Sequence, residues 1–424
     1  MKKIINPIAY AIVTLTLLSV YGWMVKHITL GDKDFGVLNE PIKEMVGFLD
    51  LFKESVEEVK KLPETFVKTP DSYPFKNELT EDVTILSTYS NKDKGRTIEL
   101  RNLRTDQVLY EWILTKPFQE HDRIMDPILL PNKEIVYSIN GVTGFFKIDS
   151  TGTEIWKQTD VAHHHSMNLD ADGNIWACSY SKENGNFIIY GANYKLDGRT
   201  FNFIDNTFSK LDAKTGEVLY HKSMAELITE NDLSYLFIQS ANTEDPIHLN
   251  DVQPALKSSE YYEKGDVFLS MRNISAVFHY RPSNDSLIEV IQGPFSTQHD
   301  VDYLNDSVVC FFNNNSHTLW QWSPSQWKTV KEPLNTGEFT SGITFYNLAT
   351  KEFSAPYDSI FKANQIFTHT EGMQEHLGNG NYFVEEQNSG FIYVLNQNKV
   401  VYQSVLKSHH EGYHHLTNWI RIIK

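Results

Sequence analysis

The sequence predicts an all-β chain, a six-bladed β-propeller preceded by a transmembrane helix and a short amphipathic helix. Three observations carry this. From about residue 80 onward one unit recurs six times: an apolar strand, a polar turn, and a second strand rich in aromatic or aliphatic residues. Between these hairpins lie segments opened by a histidine. The two ends are also complementary. The first hairpin has no histidine segment before it, and the piece from His409 to Lys424 has one with no hairpin after it, so joining them completes a blade. A pair of β-sandwiches would accommodate the strands but not the recurring histidines.

The elements follow in chain order. Met1-Lys2-Lys3 precedes an uncharged apolar run from Pro7 to Val25, close to the ~20 residues that cross a bilayer. The lysines place the N-terminus on the cytoplasmic side. A cleaved signal peptide is the rival reading, but Ser19-Val20-Tyr21-Gly22-Trp23 offers no small-x-small cleavage site. Both readings put the remainder outside the cytoplasm. The expectation is a single-pass inner-membrane protein with residues 1–26 as anchor, 27–79 as a helical stalk and linker, and 80–424 as a periplasmic catalytic propeller. Within the stalk, Val46, Leu49, Phe52, Val56, Val59 and Leu62 recur at helical spacing over 40–62, and Pro63 and Pro70 end the helix.

The six hairpins begin near Thr97, Phe145, Phe208, Ala276, Thr344 and Phe391. The histidine openings are His121, His165, His248, His299, His369 and His409-His410. If the repeats close into a ring, these imidazoles converge on one axial point. The formal charge of -16 argues against a nucleic-acid partner, which requires a basic surface. Cys178 and Cys310 sit in apolar strands and read as buried thiols, with a disulfide as the alternative; there is no CxxC motif.

Other polar groups gather near the histidines. Asn250 is two residues after His248, Arg272 follows Leu269-Ser270-Met271, and Asn313-Asn314-Asn315 follow the His299 strand. An arginine among imidazoles and amides makes a compact anion site. His163-His164-His165, with Asp160 and Asp170 nearby, also reads as a metal-binding tract.

The ordered set His248-Leu249-Asn250-Asp251, Leu269-Ser270-Met271-Arg272 and Thr297-Gln298-His299-Asp300 resembles the bacterial arylsulfotransferase (aryl-sulfate sulfotransferase) family, most strongly over 160–320. The resemblance implies an extracytoplasmic six-bladed propeller that moves a sulfuryl group from an aryl sulfate donor to a phenolic acceptor, without the nucleotide donor of cytosolic sulfotransferases and without a metal or cofactor. By position it implies His299 as the nucleophile that becomes a sulfohistidine, and His248, Asn250 and Arg272 as its sulfate-binding partners. It also implies His165 as a further site histidine, although Ser166 follows it where the family has aspartate. His369 and Asn313 are expected among the substrate-binding residues. The family's extended N-terminal sandwich has no counterpart here. Two other function classes fit the same residues: a non-catalytic, envelope-anchored binding or assembly scaffold, and a histidine-ligated metal enzyme.

Overall fold

The computed structural model describes residues 2–30, 35–38, 41–42 and 65–424, apart from 94, 116–117, 120–121, 141–142, 184–185, 189, 197–198, 241, 317–339 and 418. The chain divides into two compact units, Met1–Leu62 with Trp320–Glu332, and Pro63–Leu319 with Pro333–Lys424. In the first, helix Lys2–Leu30 contains one segment, Ala9–His27, long and apolar enough to cross a membrane. The amphipathic stretch expected over 40–62 lies, but for Pro41 and Ile42, outside the described residues.

The second unit is a six-bladed propeller. Named from inner to outer strand, blade 1 is Arg421–Ile423, Thr84–Ser90, Arg96–Asn102 and Gln107–Leu114; blade 2 is Ile124–Leu130, Glu134–Ile139, Phe145–Ile148 and Glu154–Gln158. Blade 3 is Ala162–Leu169, Ile175–Glu183, Thr207–Leu211 and Val218–Ser223; blade 4 is Leu249–Pro254, Val267–Met271, Ala276–Arg281 and Ser286–Ile291. Blade 5 is His299–Asn305, Val308–Asn313, Gly342–Asn347 and Phe353–Ser354. Blade 6 is Met373–Gly378, Asn381–Glu386, Phe391–Leu395 and Val400–Val405, with Lys76–Asn77 added outside. Each hairpin read from the sequence forms the outer pair of one blade. An extra hairpin, Tyr190–Leu196 with Arg199–Ile204, is inserted in blade 3.

Neighbouring blades pack face to face. A separate apolar cluster fills each gap, for example Phe208 and Cys178 of blade 3 against Leu269, Phe278 and Tyr280 of blade 4. Cys178 and Cys310 are both free and buried. The ring closes where Thr84–Leu86 pairs with Arg421–Ile423, the join expected from the sequence. Arg421 also donates to the Pro127 carbonyl of blade 2 at 3.0 Å and to the Asp126 carboxylate, while the Ile420 N–H reaches Glu385 of blade 6 at 2.8 Å.

A second set of bonds links inner strand to inner strand and fixes their relative register. The Met167 N–H donates to Asp126, Val252 N–H to Ser166 (3.2 Å), Val301 N–H to Asp251 (2.7 Å) and Gln374 N–H to Asp300 (2.6 Å). Asp126, Ser166, Asp251 and Asp300 are therefore equivalent positions, and so are the residues before them: Met125, His165, Asn250 and His299. This corrects the expectation that the opening histidines share one register. His165 and His299 do, together with Asn250, but His248 lies two residues earlier and His369 earlier still. His409 and His410 lie ahead of strand Tyr413–His415, which pairs with Phe66–Lys68, and not at the start of the closing inner strand. His121 is outside the described residues. The physical cause is local: bulges interrupt the inner ladders at Met125/Ile128, His163/Met167, Leu249/Asp251 and His299/Val301, so equal spacing in sequence does not give equal position.

One close approach makes a stability prediction. A Cβ on Gly144, at the start of the third strand of blade 2, would stand 1.9 Å from the Gln158 carbonyl oxygen of the neighbouring strand. Gly144→Ala should destabilise the propeller by about 1–3 kcal/mol or more, because backbone must move to admit it. A denaturant midpoint equal to wild type would contradict this.

Candidate active site

The inner-strand bulges aim several polar side chains at one place. Left-handed backbone at His165 (φ 61), His248 (φ 54) and Asp300 (φ 54) marks these strand tops. Such strain in residues other than glycine persists only where surrounding structure enforces it. In blade 3 the bulge brings both His164 and His165 toward His248, with ring centroids 5.3 and 4.8 Å away. His163 turns instead against Phe145.

His299 is 2% exposed, and its two ring nitrogens are in different situations. Nδ1 lies 2.6 Å from Asn314 Oδ1 and 3.1 Å from the Thr297 carbonyl. The Asn314 amide nitrogen donates to the carbonyls of Thr368 and Glu371, so its oxygen must face the ring. Both neighbours of Nδ1 are acceptors, and the proton therefore sits on Nδ1. Nε2 keeps its lone pair, is buried, and has no partner among the described residues. Burial pulls the His299 pKa down to about 3, and the Arg272 charge adds to the pull. The ring is thus neutral at ordinary pH.

Arg272 is 6% exposed. Its Nη1 donates to Asn273, while Nε and Nη2 have no partner among the described residues. Burial lowers its pKa, against the attraction of Asp245 and Glu371. Asn250 donates to the Gln298 carbonyl at 2.7 Å, which leaves its other N–H and its Oδ1 unused. Gln298 is structural: its amide nitrogen donates to Ser270 Oγ and to the carbonyls of Met271 and Ala276, tying the His299 strand to that of Arg272.

A second chain runs through His248. Its Nδ1 donates to Asp245, itself held by Asn206, and its Nε2 lies 2.8 Å from His165 Nε2. With Nδ1–H on Asp245, His248 Nε2 is the acceptor and His165 Nε2–H the donor. That leaves a lone pair on His165 Nδ1, which is buried without a partner among the described residues. Burial alone would raise the Asp245 carboxyl, but His248 holds it below the usual range. The His165 ring faces His299 at 6.1 Å and Trp419 at 5.5 Å between centroids.

The structure thus gathers His165 and His248 directly and sets His165 beside His299, with Arg272 and Asn250 reaching the same strands. Burial, and after it the Arg272 charge, lowers the pKa of His369. Asn313 accepts backbone N–H bonds from Ser296 and Asn315 and so shapes the turn that carries Asn314. Ser166 takes the channel position held by aspartate in neighbouring blades, donating to Asp251 at 2.6 Å. Asn314, Asp245 and Glu371 were not singled out from the sequence. Asn314 lay in a named asparagine run and Glu371 two residues after the named His369, while nothing near Asp245 marked it. Burial raises the Glu371 carboxyl although Arg123, Arg272 and His248 face it.

A constellation of imidazoles, a guanidinium with two nitrogens unpartnered among the described residues, and spare amide groups suits a tetrahedral anion. The comparisons bear on which. A solved Bacteroides caccae protein of unknown function is similar at 13% identity over 81% of this chain and 100% of its own, with a TM-score of 0.48. A streptogramin B lyase structure is similar at 13% identity over 83% and 90%, TM-score 0.42, and a Staphylococcus aureus virginiamycin B lyase at 10% over 80% and 90%, TM-score 0.41. Overlaps this loose carry no functional argument. No curated protein matches. The family model described as Arylsulfotransferase (ASST) matches residues 126–406, a span that contains the inner strands of blades 3, 4, 5 and 6 and every site residue named above except Arg123 and Trp419, and the chain belongs to that arylsulfotransferase family.

Proposed function

We propose that this protein transfers a sulfuryl group from an aryl sulfate ester to a phenol in two half-reactions through a sulfohistidine on His299. The observation that carries the reading is the locked ring: Asn314 holds the proton on Nδ1, and a buried Nε2 stands near Arg272 N–H groups, both without a partner among the described residues. A neutral imidazole is a capable nucleophile and a workable leaving group once sulfurylated.

In the first half-reaction His299 Nε2 attacks sulfur; the N–S bond forms, the S–O(aryl) bond breaks, and the phenolate departs. Arg272 and the spare Asn250 N–H stabilise the charge that builds on the equatorial oxygens. In the second, the acceptor hydroxyl loses its proton to His165 Nδ1, its oxygen attacks sulfur, and the N–S bond breaks. The proton passes along His165 to His248, where Asp245 stabilises the imidazolium, and then leaves to solvent, which balances the proton taken up by the phenolate released in the first half-reaction. In this reading the N-terminal helix anchors the protein in the inner membrane, and the propeller works on the extracytoplasmic side.

The test is the full chain in detergent with 4-nitrophenyl sulfate, with and without phenol, together with intact-mass analysis. Acceptor-dependent nitrophenol release and a sulfuryl adduct are expected. A folded protein silent toward a panel of donors would favour the binding scaffold, and release independent of acceptor would favour a hydrolytic sulfatase. Hydrogen-bond partners that orient metal-bound histidines matter by roughly 10–100-fold, and the same scale is expected for a histidine oriented as a nucleophile. Asn314→Leu should therefore slow adduct formation on that scale, read by stopped-flow; an unchanged rate would remove Asn314 from the mechanism.

A further inference from the structure

The transfer scheme has no task for His164. Yet blade 3 turns two consecutive imidazoles toward His248, through a bulge and a left-handed residue at His165. One nitrogen from each of His164, His165 and His248 lies within 4.8 Å of those of the others. His164 Nδ1 and His165 Nδ1 are buried with no hydrogen-bond partner among the described residues. We propose that His164, His165 and His248 form a binding site for one divalent transition-metal ion, of the Zn²⁺ or Cu²⁺ class, and that its occupancy blocks the transfer.

Imidazole nitrogens bind zinc at about 2.0–2.1 Å, which puts two of them about 3.3 Å apart on a tetrahedral ion. The Nε2 atoms of His165 and His248 lie 2.8 Å apart and the nitrogens of the set all lie within 4.8 Å of one another, so with the His165 proton shifted to Nδ1 small ring rotations bring them to that spacing. Metal-bound histidines usually hand their other N–H to a carboxylate, which orients the ring and raises its basicity. His248 already does this, with Nδ1 on Asp245. The three-nitrogen set excludes hard ions such as Mg²⁺ and Ca²⁺, which require oxygen ligands. Asp245 and Glu371 offset the ion's charge, while Arg272 opposes it.

The inhibitory part rests on the transfer proposed above. An ion on these rings takes the lone pair of His248 and occupies His165, which removes the proton acceptor. It also places a cation where the sulfate ester must seat, so the ester's oxygens are held by metal instead of by Arg272.

The experiment uses the full chain in detergent, stripped of metal with a chelator. Zn²⁺ titrated by calorimetry should bind at one ion per chain, and His164→Gln should weaken that binding at least tenfold. Turnover of 4-nitrophenyl sulfate by the wild type should fall as Zn²⁺ saturates and return on chelation. His164→Gln should turn over like the metal-free wild type and resist the same Zn²⁺. Loading the wild type with Cu²⁺ gives a test independent of the variant's folding, since its electron spin resonance spectrum should carry nitrogen couplings from imidazole. No stoichiometric binding, binding indifferent to His164→Gln, or a Cu²⁺ spectrum without nitrogen couplings would each overturn the site. Binding that depends on His164 in a protein with no turnover at all would uphold the site and overturn only the transfer reading.

Discussion

His299→Ala should reduce aryl-sulfate turnover to background and eliminate the sulfuryl adduct. Removing a covalent nucleophile from a concerted site costs on the order of 10⁶ in rate. Two alternatives give smaller effects and different signatures. If His299 only held the sulfate, the loss would be in KM. If it were a general base for direct transfer, ping-pong kinetics would be absent in the wild type. The variant leaves Asn314 with a buried oxygen whose partner is gone, so some loss of stability is expected as well. His299→Gln keeps a polar group beside Asn314 and separates folding from chemistry. Turnover within tenfold of wild type in either variant, with the fold intact, would dismiss the sulfohistidine.

Arg272→Ala should cost about 10²–10³ in kcat, the range seen when one donor to a developing oxyanion is removed. Its effect on stability should run the other way. A guanidinium 6% exposed, with Nε and Nη2 unpartnered among the described residues, carries a desolvation cost that bound sulfate would relieve and alanine would remove. The variant should therefore melt at or above the wild-type temperature while losing activity. Arg272→Lys should restore little, because an ammonium cannot reproduce the planar pair of N–H groups. A variant that lost stability and activity together would assign Arg272 to the framework instead.

The parts of this molecule legible in the sequence are those set by short-range alternation. Phe391-Ile392-Tyr393-Val394-Leu395 with Val400-Val401-Tyr402 could only be a buried hairpin, and blade 6 has it there. The ring join was legible because an incomplete blade at each end has one remedy. The inner strands were less legible. His248 and His299 look alike as strand openers, yet only His299 is equivalent to His165, since the bulges that offset them leave no compositional trace. His299, His248, Asn250 and Arg272 came from an ordered motif, but the residues that support them did not. Asp245 lies in an irregular segment ahead of blade 4, where no periodicity predicts direction. Asn314 sits one residue past the end of strand Val308–Asn313, so its place on His299 depends on a turn that Asn313 itself builds.

The join at Arg421 also has a kinetic side. This one residue grips the first half of the ring, although it is 295 residues from Asp126 in sequence. Closing so long a loop adds little to the equilibrium cost, because that cost grows only with the logarithm of length. It weighs far more on the rate of folding, since contacts so distant in the chain form late. Until residues 420–423 dock, blade 1 lacks its inner strand, the Glu385 carboxylate lacks its Ile420 partner, and Trp419 is absent from beside His165. The closing strand thus acts as an assembly checkpoint, and a propeller caught before it would hold His299 in a complete blade 5 and still lack both the inner strand of blade 1 and the Trp419 ring beside His165.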